Sequence, residues 1–501
     1  MAGKSKTSRH TEVERKFDVP ESDGVESTVS PSFDGLNAVA RVERLPVQHL
    51  DAVYFDTPGR DLAAHRITLR RRTGGTDAGW HLKLPAGPDA RTEVRAPLGG
   101  DAESAEVPED LRDVVLAIVR DRPLAPVARI STQRTVDLLH GPDGDAVAEF
   151  CDDEVTASAE GGAEQRWREW EVELVGDGDA ALLDRLANRV LDAGASPAGH
   201  GSKLGRVLDT GRSDDEVKTR DEDPVRRAVA EQVEQLVTWD RAVRADVEDS
   251  VHQMRVTTRK IRSLLQSAGG VFGISDDAWV LDELRQLAAV LGVARDAEVL
   301  AERYAAALDG LPDDLVRGPV RDRLVEGAER RYRSGLRRSL IAMRSQRYFR
   351  LLDALEGLVA AEPPTPEPGE EPARTTIDSA YKRVRKAAKR AAAAAGTERD
   401  EALHRIRKGA KRLRYTAAAT GAGKVSERAK AIQSLLGDHQ DAVVSREHLI
   451  QQAEAAHAAG EDTFTYGLLY QLEVEAADRA RAQLDDALGK LDKAVRKAKG
   501  T

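Results

Sequence analysis

Alternating charged and apolar side chains along successive strand-like segments constrain this chain more than any other feature. Read with a period of two, Glu12-Val13-Glu14-Arg15-Lys16-Phe17 sends Glu12, Glu14 and Lys16 to one face and Val13, Arg15 and Phe17 to the other. Ile67 to Arg72 places Thr68, Arg70 and Arg72 opposite Ile67 and Leu69. Trp80 to Leu84 sets His81 and Lys83 against Trp80, Leu82 and Leu84, and Arg91 to Arg95 alternates in the same way. Arg134 lies in a further candidate strand. Ala146 to Asp153 gathers Glu149, Cys151 and Asp153, and Trp167 to Leu174 gathers Glu169, Glu171 and Glu173.

Any one of these strands could be an ordinary sheet with a solvated face. Together they need a cover for their apolar faces and a place where their charged faces converge. A closed antiparallel barrel with helices outside and a charged lumen meets both needs, and closure removes sheet edges. Its lumen would hold a cationic set (Arg70, Arg72, Lys83, Arg91, Arg134) and an anionic set (Glu12, Glu14, Asp153, Glu169, Glu171, Glu173). Buried like charges are costly unless paired or bound to ions. Such a lumen suits a polyphosphate gripped by Arg and Lys, with a divalent metal bridging carboxylates and phosphate oxygens.

Composition sets the outer bounds. The 501 residues, 41% hydrophobic, are enough for two or three domains. Aromatics make up only 4% and charged residues 32%, which favours ion-paired helices over a large β-sandwich. A net charge of −10 argues against a general nucleic-acid binder. The single cysteine, Cys151, excludes an internal disulfide and fits a reducing compartment. Met1 to His10 has no apolar core of a signal peptide, and no run approaches the roughly 18 apolar residues of a membrane span. A cytoplasmic location, with no membrane and no nucleic acid as partners, is therefore expected.

The barrel segments also carry a family resemblance. Glu12-x-Glu14-x-Lys16 resembles the ExExK motif of the CYTH family, the triphosphate tunnel metalloenzymes. The agreement continues through Tyr54-Phe55-Asp56-Thr57, Leu69-Arg70-Arg71-Arg72, Leu82-Lys83-Leu84-Pro85, Asp152-Asp153, Glu169 to Leu174, Ser202-Lys203-Leu204 and Arg206. It covers roughly residues 1–210 and implies an eight-stranded antiparallel tunnel that binds triphosphates with Mg²⁺ or Mn²⁺. By this resemblance Glu12, Glu14 and Lys16 are the catalytic set. Glu12 and Glu14 would ligate metal with Asp153 and acids among Glu169, Glu171 and Glu173. Lys16, Arg70, Arg72, Lys83, Arg91, Arg134 and Lys203 would grip phosphate.

Residues 211–223 are polar and read as a linker. Beyond them the period becomes helical, interrupted by a proline-rich connector over 362–374 that forbids a helix. The halves on either side, about 224–361 and 375–501, contain a repeat. His252 is followed by Arg255, Arg259 and Arg262, and His404 by Arg407, Lys411 and Arg414, at offsets 3, 7 and 10 in both copies. That spacing holds the basic residues on one helical face. Leu287 to Gly292 then resembles Ile432 to Gly437, followed by segments containing Asp296 and Asp441. A duplicated pair of helical bundles is expected. Repulsion along each stripe calls for an acidic ligand, although one such stripe alone would be ordinary solvated surface. The pattern resembles the CHAD domain, over about 224–501. The resemblance implies two pseudo-symmetric four-helix bundles that bind inorganic polyphosphate.

The fold class expected is thus α+β multidomain, a β tunnel with outer helices followed by an all-α domain of two pseudo-symmetric bundles. The leading functional expectation is a metal-dependent inorganic triphosphatase coupled to a polyphosphate-binding helical domain. Its partners would be tripolyphosphate and long-chain polyphosphate. An adenylate cyclase using the same tunnel ranks lower, because no purine site is visible. A non-catalytic polyphosphate scaffold would have no use for so many carboxylates.

Overall fold

The computed structural model describes residues 7–20, 29–99, 106–176, 179–209, 224–267, 272–275, 278–361, 377–394 and 396–499. The chain divides into two compact units, Met1–Arg220 and Asp221–Thr501. The expected linker over 211–223 and the connector over 362–374 lie outside the described residues.

In the first unit the strands are β1 (Ser8–Asp18), β2 (Arg41–Arg44), β3 (Gln48–Asp56), β4 (Thr68–Thr73) and β5 (Gly79–Pro85). They continue as β6 (Ala90–Ala96), β7 (Ala125–His140), β8 (Ala146–Ala159), β9 (Gln165–Leu174) and β10 (Ser196–Pro197). The order β1-β6-β5-β4-β3-β7-β8-β9 closes through antiparallel β1–β9 pairing into an eight-stranded barrel, with β2 added to β7 and β10 to β1. Among the described residues five helices accompany it: α1 (Asp61–Ala64), α2 (Glu109–Val114), α3 (Leu116–Val119), α4 (Ala180–Asp192) and α5 (Lys203–Val207).

The outward apolar residues are covered as their alternation requires. Phe17, Phe150, Trp170 and Val172 pack with Leu182, Leu183, Leu186 and Val190 of α4. Asp179 caps that helix by accepting a hydrogen bond from the Ala181 amide at 3.0 Å. Inward positions behave differently at one end. Ala52, Tyr54, Ala128, Ile130, Val155, Ala157 and Trp167 share the inward parity, and they pack with Leu204, Val207 and Leu208 on and just past α5. Helix α5 therefore gives the barrel interior an apolar floor. Ser202 caps it, accepting from the Gly205 amide at 3.0 Å, which starts the helix at Lys203. Asp56, fully buried, accepts from the amides of Thr57, Leu62 and Ala63 (2.7, 2.9 and 3.0 Å) and so fixes the strand-to-helix turn.

The second unit is helical: α6 (Pro224–Arg244), α7 (Ser250–Ser267), α8 (Trp279–Asp309), α9 (Gly327–Met343) and α10 (Gln346–Ala360). They are followed by α11 (Ile377–Ala393), α12 (Gly396–Ala419), α13 (Gly423–Ala458), α14 (Phe464–Ala482) and α15 (Leu484–Lys499). The repeated segments occupy equivalent helices, α7 and α12, each followed by a long helix, α8 and α13. Helices α11, α12 and α15 share one core with the N-terminal part of α13, built on Val384, Ile406, Leu413, Ile432, Leu436 and Leu491. The C-terminal stretches of α8 and α13 meet with α14 in another, containing Tyr304, Leu308, Leu449, Ala456, Tyr466 and Leu469. Helices α7 and α12 pack against each other. No helix among the described residues is long and apolar enough to cross a membrane.

Candidate active site and cationic groove

The strand parity read from the sequence directs the charged faces of the barrel inward. They line a cavity of about 730 Å³ to which Glu12, Glu14, Lys16, Arg70, Arg72, Lys83, Arg91, Arg134, Glu171, Glu173 and Lys203 all contribute. Asp153 and Glu169 do not line it. They lie beneath it, fully and nearly fully buried, with Lys203 between them and the lumen.

Lys203 is the centre of this deeper layer. Its Nζ lies 2.8 Å from Asp153, 2.7 Å from Glu169 and 2.7 Å from Glu171. Oxygens of these three acids fall within 4.8 Å of one another, a spacing that also suits a metal ion, but the ammonium sits among them. Burial opposes its charge, yet Asp153, Glu169 and Glu171 raise the Lys203 pKa well above the ordinary lysine value. Arg134 binds the same layer in a fork, its Nε 2.7 Å from Asp153 and its terminal nitrogen 2.6 Å from Asp153 and 2.5 Å from Glu171. Lys16 bridges Glu14 (3.0 Å) and Glu171.

Across the β1–β9–β8 register, Glu14 stands opposite Glu173, and Glu173 opposite Glu149. Three carboxylates therefore sit side by side on adjacent strands. Burial opposes ionisation of Glu14, but Lys16 and then Lys83 overcome it and lower its pKa to about 2. Glu173 is left without enough cation. Burial, followed by repulsion from Glu12, raises its pKa to about 8. On the basic side, Arg70 donates to the Tyr54 hydroxyl at 3.3 Å, and the buried Nε atoms of Arg70 and Arg72 have no hydrogen-bond partner. Arg72 pairs with Asp77. Arg91 lies 3.8 Å from Glu14 and donates to the Gly201 carbonyl at 2.6 Å. Lys83 pairs with Glu12.

Several further residues join this site to which the sequence assigns no role. Glu149 and Arg95 line the cavity, and His10 bridges Glu12 (3.2 Å) and Glu93 (3.3 Å), which in turn accepts from or pairs with His81 at 2.9 Å. The alternation that located Arg91 and Lys83 also points to Glu93, Arg95 and His81. Asp77, in a turn, carries no periodic signal.

In the helical unit the two stripes meet. Lys411 is acted on most strongly, after burial, by Arg259, Arg255, Arg407 and Arg262, and its pKa falls to about 6. Burial, then Arg255, lowers that of Arg259, with Arg407 contributing. The repeated glycines lie against the first arginine of each copy. A methyl group at Gly292 would lie 3.4 Å from Nε of Arg255, and one at Gly437 would lie 3.3 Å from a terminal nitrogen of Arg407. Arg262 donates to the Leu281 carbonyl at 3.0 Å. Arg414 lies at the margin, over the Tyr415 ring at 5.3 Å and 3.3 Å from Gln433. His252 and His404 lie a turn away; burial lowers the pKa of each, followed by Arg295 for His252 and Lys408 for His404.

Comparison with known proteins accords with both halves of this arrangement. The CYTH domain family matches residues 10–192, and the CHAD domain family matches residues 227–450. The chain is a CYTH–CHAD protein. An uncharacterized protein of Mycobacterium tuberculosis is 66% identical over 98% of both chains. Solved structures similar to the chain include the CHAD domain from the plant Ricinus communis, 22% identical. That match covers 54% of this chain and 90% of that one, with a TM-score of 0.41. Another is PptA from Streptomyces chartreusis, 19% identical over 53% of this chain and 98% of that one, with a TM-score of 0.44. The barrel is thus the CYTH domain, and the paired α7 and α12 belong to the CHAD domain.

Proposed function

We propose that the CYTH barrel hydrolyses inorganic triphosphate with the help of a divalent metal ion, and that the CHAD groove holds longer phosphate chains. The observation carrying this reading is the convergence of buried guanidinium, ammonium and carboxylate groups on one cavity above an apolar floor. The donor set fits a hard cation, because Glu173 between Glu14 and Glu149 lacks the positive charge it needs to ionise. Glu12, Glu14, Glu173 and Glu149 would hold Mg²⁺ or Mn²⁺. Glu171 would help at the edge, while Asp153 and Glu169 hold Lys203 and Arg134 in position. When bound, the ion supplies Lewis-acid stabilisation of the developing phosphate charge.

The protein's own groups do the remainder. Arg70, Arg72, Arg134 and Lys203 take up the charge of the phosphate chain, using donors such as the unpartnered Nε atoms of Arg70 and Arg72. Lys16 and Lys83 keep Glu14 ionised. The test is product analysis after offering the whole protein tripolyphosphate, long-chain polyphosphate and ATP, each with Mg²⁺ or Mn²⁺. Metal-dependent release of phosphate from tripolyphosphate is expected, with little cyclic AMP from ATP. Cyclic AMP as the main product would reverse the reading in favour of a cyclase.

For the CHAD groove, binding should be electrostatic and should weaken steeply with salt. It should also depend on pH. Lys411 has a pKa of about 6 in the free groove. A phosphate chain beside it would restore the pKa toward the ordinary lysine value of about 10.4, so binding takes up a proton. Affinity is then greatest below pH 6 and falls by up to about tenfold per pH unit above it. Titration of labelled polyphosphate at constant ionic strength should give this slope in the native protein and a flat profile in Lys411→Arg. Equal slopes would remove Lys411 from the groove.

A further inference from the structure

The turn between β4 and β5 sets an acid on the wall of the barrel cavity. Gly74 and Gly75 have φ of 78° and 72°, a conformation in which glycine meets no steric cost. A side chain on Gly74 would also collide with the His49 carbonyl of β3. The turn is thus pressed against β3, and it brings Thr76 and Asp77 into the lining of the cavity. The Asp77 carbonyl lies 2.9 Å from Nε2 of the buried His81, whose Nδ1 lies 2.9 Å from Glu93. The backbone of the turn is therefore tied to β5 and, through Glu93, to β6. The Asp77 carboxylate pairs with Arg72, which is buried and lines the same cavity. Nε of Arg72 has no hydrogen-bond partner, so this carboxylate leaves the guanidinium short of acceptors. A terminal nitrogen of the half-buried Arg95 lies 3.9 Å from the same carboxylate. Asp77 thus has a second cation beside it.

We propose that Asp77 is a specificity-determining residue of the barrel: its carboxylate stands in for a phosphate at Arg72 and is displaced toward Arg95 when a phosphate chain enters. The proposal rests on the reading of the barrel as a triphosphatase. One anion replaces another at a single guanidinium, and no covalent bond changes. The incoming phosphate offers more acceptor oxygens than the carboxylate does, enough to engage the open Nε as well. Asp77 keeps a cationic partner in Arg95. Because the turn is held through its backbone at His81, only the side chain has to move.

The placement of Arg72 decides which ligands meet this competitor. Arg70 stands opposite Tyr54 across β3–β4, and Arg72 opposite Ala52, two residues nearer the turn. That step is about 6.5 Å along a strand. A ligand confined to Arg70, Arg134 and Lys203 leaves the Asp77–Arg72 pair in place. A chain that also reaches Arg72 has to displace Asp77. The carboxylate thereby holds down affinity for the longer chain, and it reclaims Arg72 once hydrolysis has shortened that chain, which favours release of the product.

The experiment measures initial rates of tripolyphosphate hydrolysis by the full chain at saturating Mg²⁺ or Mn²⁺, for the native protein and Asp77→Asn. The substitution keeps the shape of the side chain and removes its charge. KM should fall about fivefold or more, the scale of one partly exposed ion pair. Asp77→Ser, which cannot pair with Arg72 as a carboxylate does, should repeat the fall, and Asp77→Glu should restore a KM near the native one. A purely structural role would instead raise KM or lower turnover. The deciding comparison is made in Arg72→Gln, where KM is raised and adding Asp77→Asn should change it by less than about twofold. A gain that persists in full without Arg72 would show long-range repulsion between Asp77 and the substrate, and would overturn the proposal. Native turnover with an unchanged or raised KM in Asp77→Asn and Asp77→Ser rejects the role of Asp77 alone. Absence of turnover in the native protein rejects the triphosphatase reading, and the role of Asp77 with it.

Discussion

Glu14→Gln is expected to reduce tripolyphosphate turnover about a hundredfold or more, a loss of about 3 kcal/mol in transition-state stabilisation. The substitution preserves shape and removes one charge. Glu14 is buried, receives a hydrogen bond from Lys16 at 3.0 Å and stands opposite Glu173 across β1–β9. A neutral amide there cannot ligate a hard cation as a carboxylate does, and it cannot balance Lys16. Steady-state kinetics over a range of Mg²⁺ and Mn²⁺ concentrations measure the effect. Turnover close to that of the native protein at saturating metal would exclude Glu14 as a ligand.

The second large effect concerns folding. Lys203→Met leaves Asp153, Glu169 and Glu171 crowded together without the ammonium that now lies 2.7–2.8 Å from each. Breaking a buried ion pair by removing one partner typically costs about 3–5 kcal/mol. The barrel transition in calorimetry should fall by about 10 °C or more on that estimate. Part of the loss should be recovered at low pH, where the abandoned carboxylates take up protons. A transition within about 2 °C of the native one would show that Arg134 and Lys16 suffice to hold the layer.

These two variants separate what the sequence makes legible from what it leaves hidden. The position of Glu14 follows from period two alone, as do those of Arg70, Arg72 and Lys83, because a barrel strand has only two sides. The role of Lys203 does not. It begins a five-residue helix that returns after the sheet is complete, and nothing in so short a segment shows that it will lie under β8 and β9. The sequence groups Asp153 and Glu169 with Glu171, and the structure brings oxygens of the three within 4.8 Å of one another, with the Lys203 ammonium beside all three, a neighbour that no periodicity shows. Period two places Glu149 on the same strand face as Asp153, but its proximity to Glu173 depends on the β8–β9 register. In the helical unit the spacing of His252 to Arg262 and of His404 to Arg414 announced a shared face. It does not show that Gly292 and Gly437 lie against Arg255 and Arg407, since glycine in a helix has many causes.

The apolar floor beneath the barrel lumen has a consequence for polymers. If the barrel takes phosphate chains as proposed, the apolar cluster of Trp167, Leu204 and Leu208 would bar their exit at that end, and the barrel would not slide along a chain like a bead on a string. Only a terminus would enter, and whatever is released would leave by the same mouth. Long chains would be eroded from their ends, shortening in a descending ladder instead of breaking at random. Large phosphate rings, which have no ends, would be refused.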